Sequence, residues 1–203
     1  MKVTGVVLAG GKSRRMGEDK RFLTVGTATL LERSLSVMKT AFDEVLVVIA
    51  QDSLPLQAEG CRVLRDAIAD CGSLGGLYTG LRAATHDRIF VVACDMPFLN
   101  HEMIRFFVER DPSADMVMAL LPDGLQPLHA VYHTRTLPVF ERMAHARRLK
   151  IQDIVSDPAL RPVVLEPAAW RHLDPANRGF QNVNTPDDLA AARAAVKAGP
   201  VSL

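Results

Sequence analysis

Three apolar runs constrain the fold of this chain more than any other feature of its sequence. They are Val3–Leu8, Val45–Ala50 and Ile89–Cys94. A strand that is apolar on both faces must be covered on both faces, which is typical of a parallel sheet between two layers of helices. Because segments of helical periodicity separate such strands, the sequence predicts an α/β fold with a three-layer, doubly wound and mostly parallel sheet.

The other elements are predicted from periodicity and from capping residues. Helices are predicted over Thr29–Lys39, from Ser73 to about residue 84, after Asn100, over Thr134–His145 and after Thr185. Shorter strands are predicted at Arg62–Arg65, Met116–Leu120, Leu128–Tyr132 and Arg161–Leu165. The stretch Pro167–Gly179, with two prolines and few apolar side chains, predicts a loop.

The first strand runs into a loop rich in glycine and in cations. Its sequence is Leu8-Ala9-Gly10-Gly11-Lys12-Ser13-Arg14-Arg15-Met16-Gly17-Glu18-Asp19-Lys20. Glycines let a backbone approach a ligand closely, and N–H groups with cationic side chains suit phosphate oxygens. Val6 stands where a P-loop needs glycine, and the G-x-G-x-x-G spacing of dinucleotide-binding folds is absent. The sequence therefore predicts a phosphate-binding loop of another kind. The alternative is a surface loop with solvated charges.

An acidic residue follows the third apolar run. Ligands of such sheets bind beyond the carboxyl ends of the strands, so the loops after Leu8, Ala50, Arg65 and Cys94 are expected to face one crevice. Asp95 is then aimed at the phosphate-binding loop. A carboxylate facing phosphates calls for a cation between them, and magnesium uses one or two carboxylates with phosphate oxygens and water. The alternative for Asp95 is a plain turn residue.

The composition indicates which classes of molecule the protein binds. The chain has 203 residues and a net charge of +1, so no overall field attracts nucleic acid or a membrane surface. It contains no apolar run long enough to span a bilayer and no signal-peptide pattern. Its three cysteines lack metal-site spacing, and free thiols fit a reducing compartment. These features predict a cytoplasmic protein that binds a small anionic ligand, and neither nucleic acid nor membrane.

The phosphate-binding loop, Asp95-Met96-Pro97 and the segment Gln181-Asn182-Val183-Asn184-Thr185-Pro186 resemble the nucleotidyltransferases that activate a phosphorylated partner with a nucleoside triphosphate. Within them, the chain is most similar to the molybdenum cofactor guanylyltransferases, along most of its length. The resemblance implies a Rossmann-like nucleotidyltransferase fold, GTP and molybdenum-molybdopterin as substrates, and Mg²⁺ as cofactor. It also implies other cofactor-biosynthesis proteins or molybdoenzyme chaperones as partners.

The resemblance further implies roles for individual residues. Arg15, Lys20 and Asp95 are the expected catalytic residues, with Asp95 as the metal ligand. Leu8, Ala9, Gly10, Gly11, Lys20, Asp66 and Asp95 are expected to bind the nucleotide, and Asn182 and Asn184 the acceptor. We expect one domain over residues 1–203, with a nucleotide-binding half at 1–120 and an acceptor-binding half at 121–203.

Several of these roles have structural alternatives. Asp66 could instead cap a helix or form a surface salt bridge. Asn184 and Thr185 could merely cap the last helix, although Asn182 and Asn184 share one side of an extended segment. Gln126 stands where many relatives carry histidine, and His129 is expected to be structural.

The choice of base and the activity also have alternatives. The chain lacks the asparagine that relatives using GTP often carry after the second strand, so base selectivity rests on backbone contacts or on Gln51. The alternatives are a cytidylyltransferase or another NTP:phosphate nucleotidyltransferase, and a catalytically inactive nucleotide-binding partner protein. Leu8-Ala9-Gly10-Gly11 and Asn182-Val183-Asn184-Thr185-Pro186 favour guanine.

Overall fold

The computed structural model describes residues 2–10 and 19–198. Its strands are β1 (Thr4–Leu8), β2 (Thr24–Val25), β3 (Ala28–Thr29), β4 (Val45–Ile49), β5 (Arg62–Arg65), β6 (Arg88–Ala93), β7 (Met116–Leu121), β8 (Gly124–His133) and β9 (Pro162–Leu165). Its α-helices are α1 (Leu30–Ala41), α2 (Gly72–Ala83), α3 (His101–Glu109), α4 (Leu137–His145), α5 (Pro167–Trp170) and α6 (Pro186–Lys197). Short 3₁₀ turns cover Lys20–Phe22, Thr134–Thr136, Ile151–Ser156 and Arg178–Phe180.

The central sheet has the strand order β5-β4-β1-β6-β8-β7-β9, and β2 pairs with β3 in a separate ribbon. Parallel ladders join β5, β4, β1 and β6, and another joins β7 and β9. Strand β8 lies antiparallel between β6 and β7. The predicted mostly parallel, doubly wound sheet is confirmed.

Helices cover both faces of this sheet. Successive residues of a strand point to opposite faces, so Val6 and Val7 of β1 enter different cores. Val6 packs in the core that contains Leu74 of α2, whereas Val7 packs in the core that contains Met38 of α1. Each of these four side chains is fully buried. The arrangement is the predicted one of three layers.

Most predicted helix starts are confirmed by their caps. Thr29 and Thr185 each form a capping box with the residue three positions on, Glu32 and Asp188. The Asn100 side chain accepts hydrogen bonds from the first N–H groups of α3. The prediction that Ser73 caps α2 is wrong. That helix already begins at Gly72, whose φ of 55° favours glycine, and Ser73 is exposed inside it.

The predicted loop at Pro167–Gly179 is wrong in part, because it contains α5 and the start of a 3₁₀ turn. Pro167 stands at the first helical position, where a missing N–H costs nothing. Trp170 then buries its whole side chain against Phe180, with ring centroids 4.9 Å apart. One aromatic anchor therefore orders a segment that otherwise has the composition of a loop.

No helix in the described ranges has the length and apolar composition required to cross a membrane.

Glu44 ties together three chain segments at the amino-terminal end of β1. Its carboxylate accepts hydrogen bonds from Thr4 Oγ1 at 2.5 Å, from the Thr85 N–H at 2.9 Å and from the Thr85 hydroxyl at 2.8 Å. Arg62 Nη1 lies 3.1 Å from Oε1, the oxygen that also accepts from the Thr85 hydroxyl. Burial tends to raise the pKa of Glu44, but these donors outweigh it and hold the pKa below its ordinary value.

We expect Glu44→Gln to lower the free energy of unfolding at neutral pH by ~1.5–3 kcal/mol, the range for hydrogen bonds to a charged group. The pKa of Glu44 is lower in the folded than in the unfolded chain. The ionised carboxylate therefore stabilises the fold above the unfolded pKa, and this contribution is lost as pH falls through the folded pKa. Urea denaturation should show a gap between the two proteins that closes on acidification. Glu109→Gln, at an exposed pair on α3, is the matched control and should change little. A gap that is independent of pH would contradict this account.

Candidate active site

A cleft of about 770 Å³ opens at the carboxyl ends of β1, β4 and β6. Strand β1 lies between the other two, so the chain winds to opposite sides of it, and such a switch point is where ligands of these sheets bind. The loops after Leu8, Ala50, Arg65 and Cys94 meet there, as predicted. Residues of interest on its wall are Leu8, Ala9, Gly10, Lys20, Asp66, Asp95, Asn182 and Asn184.

Gly10 lets the phosphate-binding loop leave β1 beside the end of β4. A Cβ at this position would lie 2.7 Å from the backbone nitrogen of Ala50. No real side chain tolerates such a contact, so only glycine fits. The chain after β1 is thereby held against the floor of the cleft. Gly11 and Arg15, further along the loop, lie outside the described residues, and their roles stay predictions.

Lys20 joins two of the predicted functional groups. Its Nζ lies 3.3 Å from Asp95 Oδ2 and donates to Asn184 Oδ1 at 2.7 Å. The side chains of Lys20 and Asp95 are 17% and 19% exposed, so the ion pair is largely screened from water. A predicted catalytic cation, the predicted metal ligand and a predicted acceptor-binding amide thus lie in one cluster.

The segment before α6 is fixed against the end of β6. The Val183 N–H donates to the backbone oxygen of Asp95 at 2.9 Å, and the Val183 side chain is buried. Thr185 supplies the cap of α6, while the Asn184 side chain turns to Lys20. Asn182 and Asn184 both line the cleft. The alternative in which Asn184 serves only as a cap therefore does not fit its side chain.

Asp95 has a buried carboxylate oxygen, Oδ1, without a hydrogen-bond partner among the described residues. Burial raises the pKa of Asp95 above its ordinary value even though Lys20 opposes the rise. A divalent cation would satisfy the orphaned oxygen and stabilise the carboxylate form.

The donor set near Asp95 fits a hard divalent cation that takes few ligands from the protein. The residues described contain no cluster of three or more His, Cys, Asp or Glu side chains that could hold a metal. Magnesium does not need such a cage, because it takes one or two carboxylates and completes its shell with phosphate oxygens and water. The residues present therefore fit this ion with a bound triphosphate.

Asp66 lies on the opposite wall and is fixed from α2. Its Oδ1 accepts from the Ile68 N–H at 3.0 Å and lies 3.1 Å from Thr79 Oγ1. A Cβ on Gly75 would lie 2.7 Å from Asp66 Oδ2, so glycine is needed there. Burial raises the pKa of Asp66. Cys71 is the N-cap of α2, so Asp66 does not cap this helix.

The loop after β4 is held in place by one arginine. Arg65 Nη1 lies 3.3, 2.6 and 3.1 Å from the carbonyl oxygens of Ala50, Gln51 and Ser53. Gln51 Nε2 donates to the Asp66 carbonyl at 2.9 Å. Gln51, the residue considered for base selectivity, is thus on the cleft wall in a fixed loop.

Gln126 and His129 lie away from this chemistry. Gln126 Oε1 accepts from the Leu128 N–H at 3.2 Å, a contact within its own strand. His129 is fully buried, and burial lowers its pKa to about 4. Three aromatic rings surround it, those of Phe90, Phe107 and Phe180. The expectation that His129 is structural agrees with this packing.

Sequence reasoning missed Asp19 and Arg21, which both line the cleft. Arg21 is 4% exposed and binds the Asp19 carboxylate through Nε and Nη2. Burial tends to raise the pKa of Asp19, but the Arg21 contacts outweigh it and lower the pKa. The sequence signal was one acidic residue followed by two basic ones in Asp19-Lys20-Arg21, which by itself is typical of a solvated turn.

The chain is similar in sequence to proteins of one family. The family model for the MobA-like NTP transferase domain matches residues 5–160. A protein of Desulfosudis oleivorans named "Molybdenum cofactor guanylyltransferase" is 35% identical over 202 residues, 98% of each chain. One of Pelotomaculum thermopropionicum, named "Probable molybdenum cofactor guanylyltransferase", is 37% identical over 195 residues, 95% of this chain and 93% of the other.

The fold is similar to those of solved structures. Molybdopterin-guanine dinucleotide biosynthesis protein A from Archaeoglobus fulgidus superposes with a TM-score of 0.82 at 25% identity, covering 97% of this chain and all of the other. The fold is also shared with 2-C-methyl-D-erythritol 4-phosphate cytidylyltransferase from Thermus thermophilus, with a TM-score of 0.70 at 21% identity, covering 97% of this chain and all of the other.

We expect Asp95→Asn to stabilise the metal-free protein at neutral pH. The raised pKa of Asp95 means that the folded state disfavours the ionised form, so a neutral isostere removes a cost that is present above the unfolded pKa. A gain of about 2–4 °C in Tm would correspond to ~1 kcal/mol in a chain of this size. Asp153→Asn, at a half-exposed carboxylate near α4, is the control. A lower Tm for Asp95→Asn would mean that the pair with Lys20 outweighs desolvation.

Proposed function

Because the chain belongs to the MobA-like NTP transferase family, we propose that it transfers GMP from GTP to the terminal phosphate of molybdenum-molybdopterin. The products are the molybdopterin guanine dinucleotide cofactor and pyrophosphate. Relatives named for this activity match nearly the whole chain. The enzyme is a nucleotidyltransferase, and both substrates meet in the cleft at the carboxyl ends of β1, β4 and β6.

The observation that carries the proposal is the position of Lys20. Its ammonium contacts Asp95 on the metal side and Asn184 on the acceptor side. A transfer between two phosphates needs a cation where the two substrates meet, since negative charge accumulates there. Lys20 occupies that point between the two predicted binding regions.

The nucleotide occupies the half of the cleft formed by residues 1–120. The backbone at Leu8–Gly10 supports the phosphates, and Asp66 lies on the wall opposite. Gln51 supplies an amide that can accept from the N–H donors on the edge of guanine. Asn182 and Asn184, in the half formed by residues 121–203, bind the acceptor. The pairing of β6 with β8 joins the two halves in one sheet, which supports a single domain.

The chemistry is an in-line displacement at phosphorus. A terminal phosphate oxygen of the acceptor attacks the α-phosphorus of GTP, a new P–O bond forms, and the bond to the pyrophosphate oxygen breaks. Lys20 stabilises the charge that develops on the transferred group and on the leaving pyrophosphate. Arg15 is proposed to share this role. Asn184 orients Lys20 and the acceptor together.

The family membership implies a divalent metal ion, and we propose that it is Mg²⁺ held by Asp95. When bound, it supplies charge neutralisation across the phosphate oxygens. Asp95 contributes an oxygen already free of protein donors among the residues described, so no hydrogen bond must be broken to bind it. We also propose a cytoplasmic location, and handover partners among cofactor-biosynthesis proteins or molybdoenzyme chaperones.

The test is pyrophosphate release by the purified protein with molybdenum-molybdopterin and GTP, CTP, ATP or UTP, each with and without Mg²⁺. We expect release with GTP that requires both the acceptor and the metal. Release that is selective for CTP would replace the proposal with a cytidylyltransferase. No release with any nucleotide, from a folded protein, would favour a nucleotide-binding partner protein.

Substitutions at Lys20 and Asn184 should separate catalysis from acceptor binding. Lys20→Met should lower kcat by ~10²-fold or more, the usual scale for one preorganised charge contact. Asn184→Ala should raise KM for the acceptor more than KM for GTP, because its amide lies on the acceptor side of Lys20. Gln57→Ala, an exposed amide outside the cleft, is the control. Equal changes in both KM values for Asn184→Ala would contradict its assignment to the acceptor.

A further inference from the structure

Arg21 closes a tight turn on the carboxylate two residues before it. Its Nε lies 2.9 Å from each oxygen of Asp19, and its Nη2 lies 2.5 Å from Oδ2. The backbone N–H of Arg21 also donates to Asp19 Oδ1 at 3.1 Å. Arg21 thus makes all of these contacts to the carboxylate of Asp19. Lys20 lies between these two residues in the chain.

Arg21 is buried although it is charged, and its apolar neighbour is exposed. Its side chain is 5% exposed, while the neighbouring Phe22 is 51% exposed. Burying a guanidinium is costly unless its donors are paired, and within the described residues Nη1 has no hydrogen-bond partner. A turn that served only to connect β1 with β2 would place the phenyl ring inside and the charge in water. Holding this guanidinium in place therefore lowers the stability of the fold.

Arg21 lines the same cleft as Asp95, which follows the end of β6. Asp19 and Lys20 line it too, so the closed turn forms part of the cleft wall. From this turn the Lys20 ammonium lies 3.3 Å from Asp95 Oδ2 and 2.7 Å from Asn184 Oδ1. The reach of the flexible lysine side chain therefore starts from a backbone that the contacts between Asp19 and Arg21 hold.

We propose that Arg21 is a positioning residue, which acts through Asp19 to fix the backbone of Lys20 and so aims its ammonium at Asp95 and Asn184. Its catalytic importance rests on the proposed function, while its effect on the position of Lys20 does not. The planar fork of arginine is required, because a lysine ammonium is a point charge that cannot close the turn through two parallel hydrogen bonds.

The first test measures the position of Lys20 in the free protein by NMR. Asn184 accepts from Lys20, so the side-chain amide signals of Asn184 report this contact. They are assigned with Asn184→Asp and calibrated with Lys20→Met. We expect Arg21→Met and Asp19→Asn to shift these signals in the direction given by Lys20→Met. Arg105→Met, at an exposed pair on α3, should leave them in place. Unchanged Asn184 signals in folded Arg21→Met and Asp19→Asn would overturn the proposal.

The second test is a double-mutant cycle on turnover. A misplacement of a catalytic group by about 1 Å can cost ~10²-fold, so Arg21→Met should lower kcat on that scale with little change in KM. Arg21→Lys should not restore it. If Arg21 acts through Asp19, the double variant Asp19→Asn/Arg21→Met should be no slower than the slower single variant. Losses that multiply, with a raised KM for either substrate, would overturn the proposal in favour of direct ligand contact by Arg21.

The two tests distinguish failure of this proposal from failure of the proposed function. A wild-type protein without pyrophosphate release overturns the proposed function, while the Asn184 signals still decide the positioning role. Conversely, an active wild-type protein whose Arg21→Met variant keeps its kcat overturns the positioning role alone. Asp19→Asn, at a carboxylate that is 35% exposed, is the gentler variant if Arg21→Met does not fold.

Discussion

The pairing of β1 with β4 on one side and with β6 on the other determines where the functional groups lie. The ladder continues past the strand ends, since the Ala9 N–H donates to Val48 and the Cys94 N–H donates to Leu8. The points where the chain leaves these three strands are thereby fixed side by side at one edge of the sheet. The close passage of Gly10 beside β4 and the direction of Asp95 both depend on this register of backbone hydrogen bonds.

The charged side chains buried in the cleft lower the stability of the fold. Burial raises the pKa of both Asp95 and Asp66, so the metal-free and ligand-free protein holds two carboxylates in a setting that disfavours them. Arg21 lines the same cleft and is buried with an unsatisfied donor among the described residues. A site prepared for phosphates and a cation has this character, because its groups are arranged for partners that bind later.

The sequence predicted the sheet between two layers of helices, most caps and the convergence of four loops, because apolar periodicity and capping chemistry are local signals. It did not predict that Trp170 orders the segment after β9, since a single aromatic anchor is invisible to periodicity. The ion pair of Asp19 with Arg21 was missed for a similar reason. Whether a charged turn is solvated or buried depends on the tertiary structure around it, here the wall of the cleft.

Trp170 gives the molecule a built-in optical probe. It is the one tryptophan of the chain, it is fully buried, and its ring lies against Phe180. Phe180 directly precedes the segment that carries Asn182 and Asn184. The tryptophan fluorescence of the protein therefore comes from one indole near the start of the segment that carries Asn182 and Asn184, and its emission reports on that neighbourhood without any label.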